Sequence, residues 1–69
     1  MERTAVQSSN IASIGYDNQS ETLEIEFLNG SIYQYFDVPE RVYEELMGAD
    51  SHGKYLAHII KGNYRYSKV

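Results

Sequence analysis

The residues most able to do chemistry in this 69-residue chain are its seven tyrosines and the few cations near some of them. Tyr33 and Tyr35 form a Tyr-x-Tyr pair in the middle of the chain. Tyr64 and Tyr66 form a second pair, set among Lys61, Arg65 and Lys68. Phenol rings offer flat faces on which unpaired nucleobases stack, and interleaved cations meet phosphate. The alternative for Tyr33 and Tyr35 is structural, with rings that cover the sheet and pack against the C-terminal tail or a subunit partner; for Tyr64 and Tyr66 it is an edge strand with ordinary solvated lysines.

Charge points to the same end of the molecule. The net charge of −4 argues against sequence-independent phosphate binding by the whole surface. Residues 1–50 carry all ten acids against Arg3 and Arg41, a balance of −8. Residues 51–69 carry no acid and four bases (Lys54, Lys61, Arg65 and Lys68), with His52 and His58 besides. Such asymmetry marks either a partner surface or a basic tail folded against an acidic body.

Catalytic and metal chemistry find no support in the spacings. His52 and His58 lie six apart, roughly 240° around a helix, so they share no face, and cysteine is absent. No metal or other cofactor is expected. Ser51 and His52 are adjacent, but a Ser–His dyad is a matter of spatial geometry, and Ser51 reads better as a helix cap. Glu24 and Glu26 alternate along a strand, the ordinary solvated pattern. A binding module, not an enzyme, is the expectation. No stretch reaches the ~20 apolar residues that span a bilayer, and nothing resembles a secretory leader, so a cytoplasmic protein without membrane contact is expected.

The elements that must position these residues are legible from periodicity. Residues 1–10 are polar and read as a flexible N-terminus, leaving 11–69 as one domain. Ala12, Ile14 and Tyr16 alternate along a first strand; Leu23, Ile25 and Phe27 alternate along a second. Asn29-Gly30 suits a two-residue type I′ hairpin, and 31–38 reads as the returning strand. That turn sets Phe27 opposite Ile32, Ile25 opposite Gln34 and Leu23 opposite Phe36, and Asp17 opposite Thr22 continues the apolar face into the first strand. It also sets Glu26 opposite Tyr33 and Glu24 opposite Tyr35, on the face away from the core, where carboxylates would repel phosphate. Pro39 and Glu40 open a helix bearing Val42, Tyr43, Leu46 and Met47, and Gly48 ends it. Asp50 or Ser51 caps a second helix whose apolar face is Tyr55, Leu56, Ile59 and Ile60, weakened by Gly53. The predicted fold is α+β: a three-stranded antiparallel meander, two short helices packed on one face, and room for a fourth strand at the C-terminus.

Several short pieces, in order, carry a resemblance. They are Ile14-Gly15-Tyr16-Asp17, Leu23-Glu24-Ile25-Glu26-Phe27, Gly30 and Tyr33-Gln34-Tyr35, followed by Val38-Pro39, Val42-Tyr43, Leu46, Ala49, Ser51-x-Gly53, Ile60-Lys61 and Tyr64. With them the chain resembles the KTSC domain, found at the C-terminus of some lysyl-tRNA synthetases and as a stand-alone bacterial or phage protein. It departs at Leu56-Ala57, where the family often has Phe-Asn, and at Lys61, where it often has Arg. The resemblance implies no catalytic activity, and the company of a synthetase suggests RNA or tRNA as partner. The candidate binding residues are Tyr33, Tyr35, His52, Lys54, Lys61, Tyr64, Arg65 and Tyr66. The competing expectation is a protein–protein module, including a homodimer formed through a C-terminal edge strand or through the opposed charges.

Overall fold

Five short strands pair in chain order into one antiparallel sheet in the computed structural model, which describes residues 1–69. The strands are β1 (Arg3–Ala5), β2 (Ile11–Asp17), β3 (Thr22–Phe27), β4 (Ile32–Tyr35) and β5 (Tyr66–Lys68). Between β4 and β5 the chain forms α1 (Glu40–Met47) and α2 (His52–Tyr55), and α2 runs on into a π-helical turn, Leu56–Ile60. The α+β expectation holds, and the C-terminal segment does form a strand. A fifth strand, β1, lies within the segment expected to be irregular. Arg3-Thr4-Ala5 carries no alternation of polarity, and all three residues are exposed, so nothing but its pairing with β2 marks it.

The β3–β4 register differs from the expected one by a single residue. The Gly30 N–H donates to the Phe27 carbonyl at 2.9 Å, and the Phe27 N–H donates to the Ser31 carbonyl at 2.8 Å. Gly30 sits at φ +92°. This is a three-residue loop, residues 28–30, closed by a glycine in the left-handed region, rather than a two-residue type I′ turn. Asn-Gly serves either loop, because both need a positive φ at the glycine. The observed pairs are therefore Leu23 with Tyr35, Glu24 with Gln34, Ile25 with Tyr33 and Glu26 with Ile32. Opposed residues share a face, so Tyr33 and Tyr35 join Leu23 and Ile25 on the helix-covered side, and Ile32 and Gln34 turn outward.

A bulge corrects β2 in the same way. Ile11 pairs with Phe27 and Ser13 with Glu26, which leaves Ala12 as the extra residue. Ile11, fully buried, therefore takes the core place expected for Ala12. Onto Ile11, Ile14, Leu23 and Ile25 the helical layer lays Val42, Leu46, Leu56 and Ile60, all buried. The π turn accounts for Ile59, expected in the core but 44% exposed. Widening the helix carries Leu56 and Ile60 inward together, bridged by the Lys61 N–H donating to the Leu56 carbonyl at 2.8 Å, and swings Ile59 out.

Side-chain bonds hold the layers in place. Ser51 caps α2 through the Lys54 N–H at 3.2 Å. Gly53, read from sequence as a weakness, is a close approach: a Cβ there would lie 2.5 Å from Asn10 Oδ1. Tyr43 of α1 stacks on Tyr16 of β2 with centroids 4.8 Å apart. The Tyr55 hydroxyl donates to Glu45 Oε1 at 2.6 Å, tying α2 to α1. Burial, then that bond to a carboxylate, push the Tyr55 phenol up to about 12.

One polar row crosses the outer face of the sheet: Arg3, Gly15, Glu24, Gln34 and Ser67 are successive cross-strand neighbours. Gly15 has no side chain, so Arg3 passes over it and its guanidinium pairs with Glu24. Gln34 Nε2 donates to Glu24 Oε1 at 2.8 Å. A Cβ on Gly15 would come within 2.7 Å of the Glu2 carbonyl and 2.9 Å of Arg3 Cγ. Valine favours strands, yet Gly15→Val should destabilise the protein by ~1–3 kcal/mol through this overpacking, read as a lower urea midpoint. Glu24 also confers an acid dependence. The Gln34 bond foremost, then Arg3, hold its carboxyl below the ordinary 4.5 against the opposing effect of burial. A depressed carboxyl stabilises the fold above 4.5, and that contribution is lost as pH falls through the folded value. Urea midpoints taken from pH 7 downward should therefore fall less steeply below about 4.5 in Glu24→Gln than in the unmodified protein.

Candidate functional site

A concavity of about 580 Å³ opens where the helical layer stops and β4 and β5 continue. Phe27, Tyr33, Tyr35 and Tyr66 form its aromatic side. Phe27 and Tyr33 meet edge to face at 5.7 Å. Tyr66 leans on both others, 5.9 Å from Tyr33 and 5.9 Å from Tyr35. The β4–β5 pairing explains this cluster, because Tyr35 opposes Tyr66 and Tyr33 opposes Lys68 on one face. The rings differ in access. Tyr35 is 3% exposed and forms the floor, whereas Tyr66 is 62% exposed and presents a face to solvent. Burial first, then the neighbouring Tyr33 and Tyr66, raise the Tyr35 phenol above its ordinary value.

Lys61 and Gly62 border the groove on the helical side. The Lys61 ammonium lies 5.5 Å from the Phe27 ring centroid, within cation–π range. Gly62, at φ +86°, turns the chain from the π turn toward β5. Asn29 and Ser31 of the hairpin loop close the remaining edge. No Asp or Glu lines the groove. The sequence-based pairing of the tyrosines with Glu24 and Glu26 is corrected by the one-residue change of register, which leaves those carboxylates on the other face of the sheet, held by Arg3, Gln34 and Ser13.

Tyr33, Tyr35, Lys61 and Tyr66 thus come together, and the other four candidates lie elsewhere. His52 Nδ1–H donates to the Leu46 carbonyl at 2.8 Å, closing the end of α1. Lys54 stands exposed on α2. Tyr64 is half-buried against the core. Arg65 pairs with Asp37 at 2.9 Å and covers the Phe36 ring, so part of the basic segment does fold against the acidic body. Lys54, Lys61 and Lys68 join none of the ion pairs. Sequence reasoning missed Phe27, taken for plain core, Asn29, taken for a turn, and Ser31, taken for the start of the returning strand. The signal for Phe27 was its place at the open end of β3, next to the loop.

Comparison with known proteins places this arrangement. The family model of the KTSC domain matches residues 7–64. A protein of Stutzerimonas stutzeri is 41% identical over 100% of this chain and 99% of its own length. A lysine–tRNA ligase of Trichormus variabilis is 41% identical over 91% of this chain, which spans only 11% of the ligase. The crystal structure of a KTSC domain protein from Yersinia pestis superposes with a TM-score of 0.93 at 43% identity, covering 99% of this chain and 96% of that one. The chain belongs to the KTSC domain family.

Proposed function

We propose that this protein binds unpaired RNA in the aromatic groove. The observation that carries the reading is an open groove with three accessible or half-exposed rings (Phe27, Tyr33 and Tyr66), an unpaired lysine and no carboxylate in its lining. Base stacking on aromatic faces contributes about 1–3 kcal/mol per base and tolerates any sequence. Tyr66 is the stacking ring, since it presents its face to solvent with Tyr33 and Tyr35 behind it. Lys61 meets phosphate at the border, and Lys68, opposite Tyr33 on the same face, lies on the β5 side. The rest of the acidic surface repels a polyanion and so confines binding to this patch. The relatives that are lysine–tRNA ligases support an RNA ligand by association.

A protein partner is the second reading. β5 is an exposed edge strand whose outer backbone groups could pair with another chain, including a second copy.

Fluorescence anisotropy with a labelled single-stranded oligoribonucleotide at low salt tests the first reading. Tyr66→Ala should weaken binding roughly 5- to 150-fold, the equivalent of ~1–3 kcal/mol. Lys61→Ala should lower the salt slope by about 0.7. Arg65→Ala, which removes a cation already paired with Asp37 outside the groove, should change little. Absence of binding to any single strand at low salt overturns the reading.

A further inference from the structure

The pairing of β5 with β4 fixes which backbone groups β5 leaves free. The Arg65 carbonyl accepts the Phe36 N–H at 2.9 Å, and the Val69 N–H donates to the Ile32 carbonyl at 2.8 Å. Backbone groups alternate in direction along a strand, so residues 65, 67 and 69 turn theirs toward β4, and Tyr66 and Lys68 turn theirs outward. Both residues are exposed, and β4 is the element on which β5 chiefly packs. The Tyr66 and Lys68 side chains stand on the groove face, whereas Ser67 stands on the outer face beside Gln34.

An antiparallel strand that uses these groups must set its own outward-turned residues opposite Tyr66 and Lys68. β5 itself meets that condition. A two-fold axis through Ser67 puts Tyr66 opposite Lys68 of the partner subunit and Lys68 opposite Tyr66 of the partner subunit, each pair exchanging both of its hydrogen bonds. Opposed residues share a face, so each ammonium meets a ring within the ~6 Å of a cation–π contact. A lysine ordinarily guards a sheet edge, but in this register it faces an aromatic and not a second ammonium. Slipping the register toward the C-terminus would oppose Lys68 with its own copy, and slipping it the other way would leave Tyr66 on its own copy as the one hydrogen-bonded pair within the strand. The far edge, β1, has no such self-complementarity: Arg3-Thr4-Ala5 holds no aromatic, and Arg3 is already engaged with Glu24. We infer that β5 pairs with β5 of a second copy about a two-fold axis at Ser67, joining two sheets into one and setting both grooves on the same face. The inference rests on the protein-partner reading above and names the partner and the register.

The full chain, followed by sedimentation equilibrium from micromolar to millimolar concentration, should show a reversible monomer–dimer equilibrium. Lys68→Pro removes an outward N–H and none that faces β4, a place where an edge strand accepts proline; it should keep the fold and remain monomeric. Lys68→Glu, which sets a carboxylate opposite the ring, should raise the dimer dissociation constant at least about fivefold through two lost cation–π contacts. The register has its own reporter, because the chain contains no cysteine. Across the axis the two Ser67 Cα atoms would lie about 4.5 Å apart, inside the range a disulfide bridges. Ser67→Cys should therefore form a disulfide-linked dimer under mild oxidation much faster than Ser9→Cys, placed on an exposed loop. A monomer throughout, with Ser67→Cys no faster than Ser9→Cys, overturns the self-pairing and leaves the β5 edge to a different chain. A dimer that persists in both Lys68 variants overturns β5 as the interface and the edge-strand reading with it. A Lys68-sensitive dimer in which Ser67→Cys fails to link overturns the register.

Discussion

The three-residue loop between β3 and β4 is the constraint on which the rest depends. Side chains alternate across a strand, so a one-residue change of register exchanges the faces of every residue beyond the turn. With Gly30 closing a loop over residues 28–30, Tyr33 and Tyr35 fall beside Ile25 and Leu23, under or next to the helical layer. β5 then pairs with β4 and brings Tyr66 onto the same face. Under the register of a two-residue turn the tyrosines would lie on the outer face among Glu24 and Glu26, with no helix beside them and no groove.

The two faces of the sheet are specialised by different physics. On the inner face a core of ten buried apolar residues joins β2, β3 and β4 to the helices. The helical layer is short, and beyond Ile60 it gives way to Lys61 and Gly62, so the sheet outruns its cover and the uncovered rings become the groove. On the outer face the link is polar. Arg3 reaches Glu24 only because Gly15 leaves the space open, and this row gives an otherwise weakly specified three-residue strand a reason to stay on the sheet. Satisfied on both sides, Glu24 can be buried to 9% exposure without the cost of an unpaired charge.

Charge is distributed to match. The protein is acidic overall, yet the acids on β3 are neutralised or hydrogen-bonded on the outer face, Asp37 is paired with Arg65, and the groove lining holds a lysine alone among charged residues. The groove thus sets an aromatic wall beside a single ammonium.

Much of this was legible in the chain of letters. Alternation marked β2 and β3, Asn29-Gly30 marked the hairpin, Pro39 and Ser51 marked the helix starts, and the Tyr-x-Tyr pairs and the acid-free C-terminus pointed to residues that line the groove, because each of these signals is local. The loop length, the Ala12 bulge and the π turn were not legible. Asn-Gly is compatible with two loop lengths, and an inserted or widened residue leaves no mark on periodicity until packing chooses between Ala12 and Ile11, or between Ile59 and its neighbours. Residue types, element order and charge asymmetry were thus determined by sequence alone. Which tyrosines meet, which cation is free and which carboxylates stay away were decided only by tertiary structure, since each depends on a register that long-range burial, rather than local propensity, selects.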